Sequence, residues 1–135
     1  VNTRIILADG AKWVRDSLRL LLQDQSDLEL VGEAEDAPTL TDLACRMRPD
    51  VVVMDINMPA SAGFETVSHL LRTMPDVKVI VMSLQADHRY VEQGFRAGIS
   101  GYVLKDRAHE ELPAAVRTVA CDGKFVSPEL ERRSR

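Results

Sequence analysis

The 135-residue sequence predicts an α/β fold, a doubly wound parallel sheet of five strands flanked by five helices, on three observations. Short apolar β-branched runs alternate regularly with stretches of helical period, which demands a parallel sheet covered on both faces. One of those runs, Val51 to Met54, is apolar throughout and leads directly into a carboxylate, Asp55. Polar residues then recur at the ends of the other strands, on the edge where open α/β sheets bind ligands.

The elements follow in order. Arg4 to Ala8 reads as the first strand, and Trp13 to Gln23 as a helix with Val14, Leu18, Leu21 and Leu22 on one face. Leu28 to Ala34 alternates like a more exposed strand. Pro38 stands early in a helix that runs to about Met47 and ends at Arg48, Pro49 and Asp50. The central strand closes at Asp55, because Met58 and Pro59 do not let it continue. A helix from about Ala62 to Thr73 follows, broken by Pro75 and Asp76, then a strand from Val77 to Met82 and a helix from Asp87 to about Ala97 that Gly98 caps. Gly101 to Leu104 is the last strand, and His109 to Asp122 the last helix, stopped by Gly123. No internal repeat or low-complexity segment interrupts the series.

Composition limits the functions available. With 45% apolar residues the chain can bury the core of one domain. Its 17 Lys and Arg against 21 Asp and Glu, a net charge of −4, leave no basic footprint for nucleic acid, so DNA would be touched only by something outside this segment. No apolar run has the length of a membrane span and no charged-then-apolar leader opens the chain, so the expected setting is cytoplasmic, without membrane contact. Cys45 and Cys121 lack metal-ligand spacing and read as free thiols, buried or half-exposed.

Asp9, Asp55, Ser83 and Lys105 each end or follow a strand, and right-handed crossovers bring such ends into one crevice. Two carboxylates suit a hard cation such as Mg²⁺, which keeps several waters. A lysine and a hydroxyl supply a positive charge and a donor for an anionic group, and together these serve an incoming phosphoryl group if Asp55 attacks it. Each residue also has a plainer reading: Asp55 or Ser83 as a cap of the following turn, Lys105 as a surface charge, Tyr102 as packing at the sheet edge. His69, His88 and His109 fall on helix surfaces or loops and are assigned no catalytic role. Trp13, the one tryptophan, reads as a helix residue near the Asp9 end of the crevice.

With these residues in place, the chain resembles a receiver domain of two-component response regulators, over about residues 3–123, on the flavodoxin-like receiver fold. Met58, Pro59 and Gly63 match the DxxMPxxxG loop that follows the phosphoacceptor, and AGISGYVLKD (97–106) and GKFVSPEL (123–130) resemble the NarL/LuxR branch. The resemblance implies that Asp55 accepts a phosphoryl group from a histidine kinase. Ser83 would be the switch hydroxyl, Tyr102 the switch aromatic, alternating between inward and outward rotamers, and Lys105 the phosphoryl-contacting lysine. Mg²⁺ would be held by Asp9, Asp55 and the backbone carbonyl of Asn57. It further implies a signalling switch rather than an enzyme, homodimerisation, and DNA binding through a helix-turn-helix effector domain after residue 135. Residues 1–123 would be the receiver and 124–135 the start of a linker.

One departure stands out. Such receivers carry two adjacent acids after the first strand, and here Asp9 is followed by Gly10. The loss of a coordinating oxygen implies weak Mg²⁺ binding, with Lys12 or Lys105 partly neutralising Asp9 and Asp55 instead. It also opens an alternative, an atypical receiver acting as a phosphate-independent dimerisation or ligand-responsive module. A flavin or cobalamin carrier on the same fold is disfavoured: DGAKWV lacks a phosphate cradle and DINMPASAG lacks the His of a DxHxxG motif.

Overall fold

The computed structural model describes residues 2–133. All-parallel strands β1 (Thr3–Ala8), β2 (Leu28–Ala34), β3 (Val51–Asp55), β4 (Lys78–Ser83) and β5 (Gly101–Leu104) form the sheet with a sixth, β6 (Phe125–Val126), in the order β2-β1-β3-β4-β5-β6. The helices are α1 (Lys12–Gln23), α2 (Ala37–Met47), α3 (Phe64–Thr73), α4 (His88–Ala97), α5 (Ala108–Ala120) and α6 (Pro128–Arg133), with a 3₁₀ turn at Lys105–Arg107. The predicted architecture is thus corrected from five strands and five helices to six and six among the described residues. The additions, β6 and α6, are too short to show a period of their own.

β3 lies between β1 and β4 and every one of its residues is buried, as its unbroken apolar run requires. The sheet faces two cores. One is filled by Leu18 and Leu22 of α1 with Leu112, Val116 and Val119 of α5. The other holds Leu40 and Ala44 of α2, Val67 and Leu70 of α3, Val91 of α4 and Leu130 of α6. Crossovers of one hand therefore bring the carboxyl ends of β1, β3, β4 and β5 to one edge.

Local chemistry sets the helix ends. The Asp36 side chain accepts from the Thr39 N–H and caps α2, with Pro38 in the first turn. Gly98 closes α4 at φ 108°, a left-handed conformation where a Cβ would be strained. α5 ends at Ala120, and Asp122 at φ 67° takes the left-handed position ahead of Gly123. Cys45 and Cys121 are free and exposed, the first outward on α2 and the second just past α5, so the expected partial burial does not occur.

Candidate functional site

β1 and β3 each deliver one acid to the carboxyl edge. Asp9 follows the last residue of β1 and is 1% exposed; Asp55 closes β3 and is 7% exposed. Both fold back on their own turns. Asp9 Oδ1 accepts from the Ala11 N–H at 2.9 Å and Asp55 Oδ1 from the Asn57 N–H at 3.1 Å. Asp55 does not cap α3, which starts at Phe64 behind Gly63.

Lys105, the first residue after β5, spans the two acids. Its Nζ lies 2.8 Å from Asp55 Oδ2, as a hydrogen bond, and 3.0 Å from Asp9 Oδ2. The second contact misses hydrogen-bond geometry, so Asp9 Oδ2 is buried with coulombic attraction but no donor. Burial works against the Lys105 ammonium, and the Asp55 and Asp9 carboxylates outweigh it, leaving the lysine pKa above its ordinary value. Lys12, the other expected neutralising cation, instead pairs with Asp16 at 2.8 Å on the surface of α1.

Ser83 ends β4, is 1% exposed, and its Oγ accepts from the Gln85 N–H at 3.0 Å, so in this conformation it caps its own turn. Tyr102 is fully buried and points inward, its hydroxyl donating to the Gln85 carbonyl at 2.6 Å and its ring edge-on to Tyr90. Burial pushes its phenol up to about 12, Ser83 pulling the other way and Tyr90 adding to the rise. Gln85 therefore links the two residues expected to switch. Its role escaped the sequence reading, although a residue two beyond a strand-end serine is where such a turn places an N–H. Arg15 escaped it too. From the first turn of α1 it donates to the Asp9 carbonyl at 2.6 Å and stands 3.6 Å from Glu33 of β2, steadying the end of β1.

The oxygens that a metal would draw on are shared with Lys105. Asp9, Asp55 and the Asn57 backbone are the available oxygens, and Lys105 already stands against one oxygen of each acid. Among the described residues no three His, Cys, Asp or Glu side chains cluster to hold an ion. A Cβ at Gly10 would lie 2.7 Å from Pro59 Cδ, so a side chain there requires Pro59 to shift.

Beside Lys105 a groove of about 430 Å³ runs between α1 and α5, with Trp13, Val14, Met82 and Leu84 in its wall. Trp13 and Leu84 are 76% and 72% exposed. His69, His88 and His109 are exposed on α3, α4 and α5, away from the two acids' contacts. No described helix is long and apolar enough to cross a membrane.

The profile of the response regulator receiver domain matches residues 5–117. The transcriptional regulatory protein DegU of Brevibacillus brevis is 35% identical over 127 residues, 94% of this chain but 54% of that protein. The chain thus spans about half the length of such relatives. A LuxR-family two-component response regulator from Aurantimonas sp. SI85-9A1 superposes with a TM-score of 0.91 at 28% identity, covering 99% of this chain and 96% of that one. The response regulator RcsB of Salmonella enterica serovar Typhimurium, solved bound to promoter P1flhDC with the phosphomimetic BeF3−, gives a TM-score of 0.87 at 25% identity, over 98% of this chain and 66% of that one.

Proposed function

The chain belongs to the response regulator receiver domain family, with relatives in the LuxR group, and from that premise we propose that Asp55 is its phosphoacceptor. The observation that carries the reading is Lys105 Nζ held between Asp55 and Asp9, one ammonium against two nearly buried carboxylates. A carboxylate oxygen of Asp55 attacks the phosphorus of a phosphohistidine on a histidine kinase, the P–N bond breaks, and the imidazole leaves as its proton is supplied by water. Lys105 then meets the new phosphoryl oxygens. Ser83 Oγ exchanges the Gln85 N–H for the phosphoryl group, and Tyr102 keeps the inward position it already has. The added charge biases an existing equilibrium in α4, β5 and α5. Asp55 is consumed stoichiometrically and reset by hydrolysis, which makes the domain a cytoplasmic signalling switch and not an enzyme. Its output is a homodimer that binds DNA through a C-terminal domain and so regulates transcription, in keeping with the DNA-bound RcsB structure.

Receiver domains generally bind Mg²⁺. In this chain Gly10 stands for the second acid of the usual pair, and binding through Asp9, Asp55 and the Asn57 carbonyl is weak, with Lys105 as the standing counter-charge. The crowding of Gly10 by Pro59 favours a second reading, a phosphate-independent dimerisation or ligand-responsive module. Intact mass after incubation with acetyl phosphate and Mg²⁺ separates the two. A phosphoryl adduct on the wild type that Asp55→Asn abolishes supports the phosphoacceptor reading. An adduct only on Gly10→Asp supports the second, and no adduct on either removes Asp55 as acceptor.

A further inference from the structure

A second set of contacts gathers on the far side of Lys105 and is not needed by the acid crevice. β6 lies in parallel register on β5, Phe125 opposite Gly101 and Val126 opposite Tyr102, so the chain's own C-terminal segment occupies the β5 edge. Its anchor is Ser127, 1% exposed. The Ser127 N–H donates to the Tyr102 carbonyl at 3.0 Å, its Oγ accepts from the Leu104 N–H at 2.9 Å, and its hydroxyl donates to the Glu111 carboxylate. Leu130, also 1% exposed, enters the core cluster that contains Tyr102, Val91 and Ile99. At the outer end Arg133 meets both oxygens of Asp106 at 3.0 Å.

These polar attachments, with the Phe125 N–H on the Ser100 carbonyl beside them, end between residues 100 and 111, and the 3₁₀ turn that begins at Lys105 lies within that stretch. Asp106, which holds Arg133, belongs to this turn. So does Arg107, 3.5 Å from the same Glu111 that holds Ser127, with its Nε buried and without a hydrogen-bond partner. Lys105 is tied to Asp55 and Asp9 from one side while its neighbours hold the C-terminal segment from the other. A shift of this turn alters both sets, because buried polar groups cannot lose partners without cost. The exposed Arg133–Asp106 pair holds little by itself; Ser127 and Leu130 fasten the segment.

We propose that residues 124–133 form a strap over the β5 edge, docked while Lys105 bridges Asp9 and Asp55 and loosened when Lys105 is drawn onto a phosphoryl group at Asp55. The occupant of this face is therefore the chain itself, and the segment that leaves the domain is the part that reads the site. The trigger rests on the phosphoacceptor reading; the attachment and its dependence on Lys105 do not.

Hydrogen exchange of the 135-residue chain, followed by peptide mass, tests the strap without phosphate. Lys105→Met should speed exchange in the Phe125–Leu130 peptide about tenfold, and Val51–Asp55, although opened by the loss of global stability, should stay the better protected of the two. Ser127→Ala, which removes the hydrogen bonds to Leu104 and Glu111, should speed the same peptide as well, and it decides the matter where Lys105→Met also unprotects β3. Wild-type exchange rates across Phe125–Leu130 in Ser127→Ala and in a folded Lys105→Met would overturn the strap. Acetyl phosphate with intact-mass readout forms a separate arm. Absence of an Asp55 adduct contradicts the phosphoacceptor reading alone, whereas an adduct with an unchanged strap peptide contradicts the strap alone.

Discussion

The two ends of the same strands handle charge in opposite ways. At the amino ends the paired charges are wet. Lys78 at the start of β4 pairs with Asp122 at 2.9 Å, the latter 82% exposed, and Arg117 grips Asp27 with two hydrogen bonds of 2.8 Å. Arg4 ties its own N–H to Asp50 and its guanidinium to the Met47 and Arg48 carbonyls, fastening the turn between α2 and β3. At the carboxyl ends two nearly buried acids share one ammonium, and Asp9 Oδ2 has no hydrogen-bond donor. Surplus buried charge does not serve stability. The amino edge staples loops, whereas the carboxyl edge keeps negative charge where an incoming group and its counter-charge would meet.

Removing the cation at each end should break the comparison most visibly. Lys105→Met leaves two facing carboxylates without a counter-charge and is expected to cost about 3 kcal/mol in urea unfolding at neutral pH. Lys78→Met at the other end should cost far less, because its Asp122 partner already stands in water. Equal losses would mean that the two ends are electrostatically alike.

Tyr102 gives the alkaline counterpart. Its phenol is held up to about 12 by burial, against an ordinary value of 10.0, so the folded state keeps the proton after the unfolded state has released it. This contribution is intact below pH 10 and lost as pH rises toward 12, on the order of 2–3 kcal/mol. Tyr102→Phe should flatten that part of the stability–pH curve, as monitored by chemical denaturation; an unchanged slope contradicts a neutral buried phenol.

Asp9→Asn removes the surplus acid while keeping an acceptor for the Ala11 N–H. It should stabilise the domain by about 1 kcal/mol. A loss of stability would show that Asp9 is fully compensated by Lys105. The smallest effect belongs to the exposed amino end. Asp27 is lowered to about 2 by the Arg117 hydrogen bond, so its contribution is present above pH 4 and fades as pH falls toward 2. Arg117→Ala should return the Asp27 titration, followed by NMR, to the usual carboxylate range, with an effect on stability that added salt screens.

The alternation of strands and helices, the apolar face of α1 and the convergence of Asp9, Asp55 and Lys105 were legible because each rests on a run long enough to show a period or on a residue at a strand end. β6 and α6 were not. Two residues of strand have no alternation to read, and the charged run after Pro128 hides the one buried leucine, Leu130, that fastens it. Reach was equally hidden. Lys12 and Lys105 both stand near an acid in the sequence, but Lys12 extends along an exposed helix to Asp16, while Lys105 leaves the sheet directly into the crevice. Arg15 and Gln85 act through backbone carbonyls and an N–H, partners that no side-chain motif advertises.

A Mg²⁺ titration of the wild type and Gly10→Asp, followed by the fluorescence of Trp13 in the groove beside Lys105, tests most directly the claim that Lys105 has the place of the cation. The wild type should show no saturation at low millimolar Mg²⁺. Gly10→Asp, once Pro59 yields to the new side chain, should saturate there. Saturable wild-type binding in that range would contradict the account.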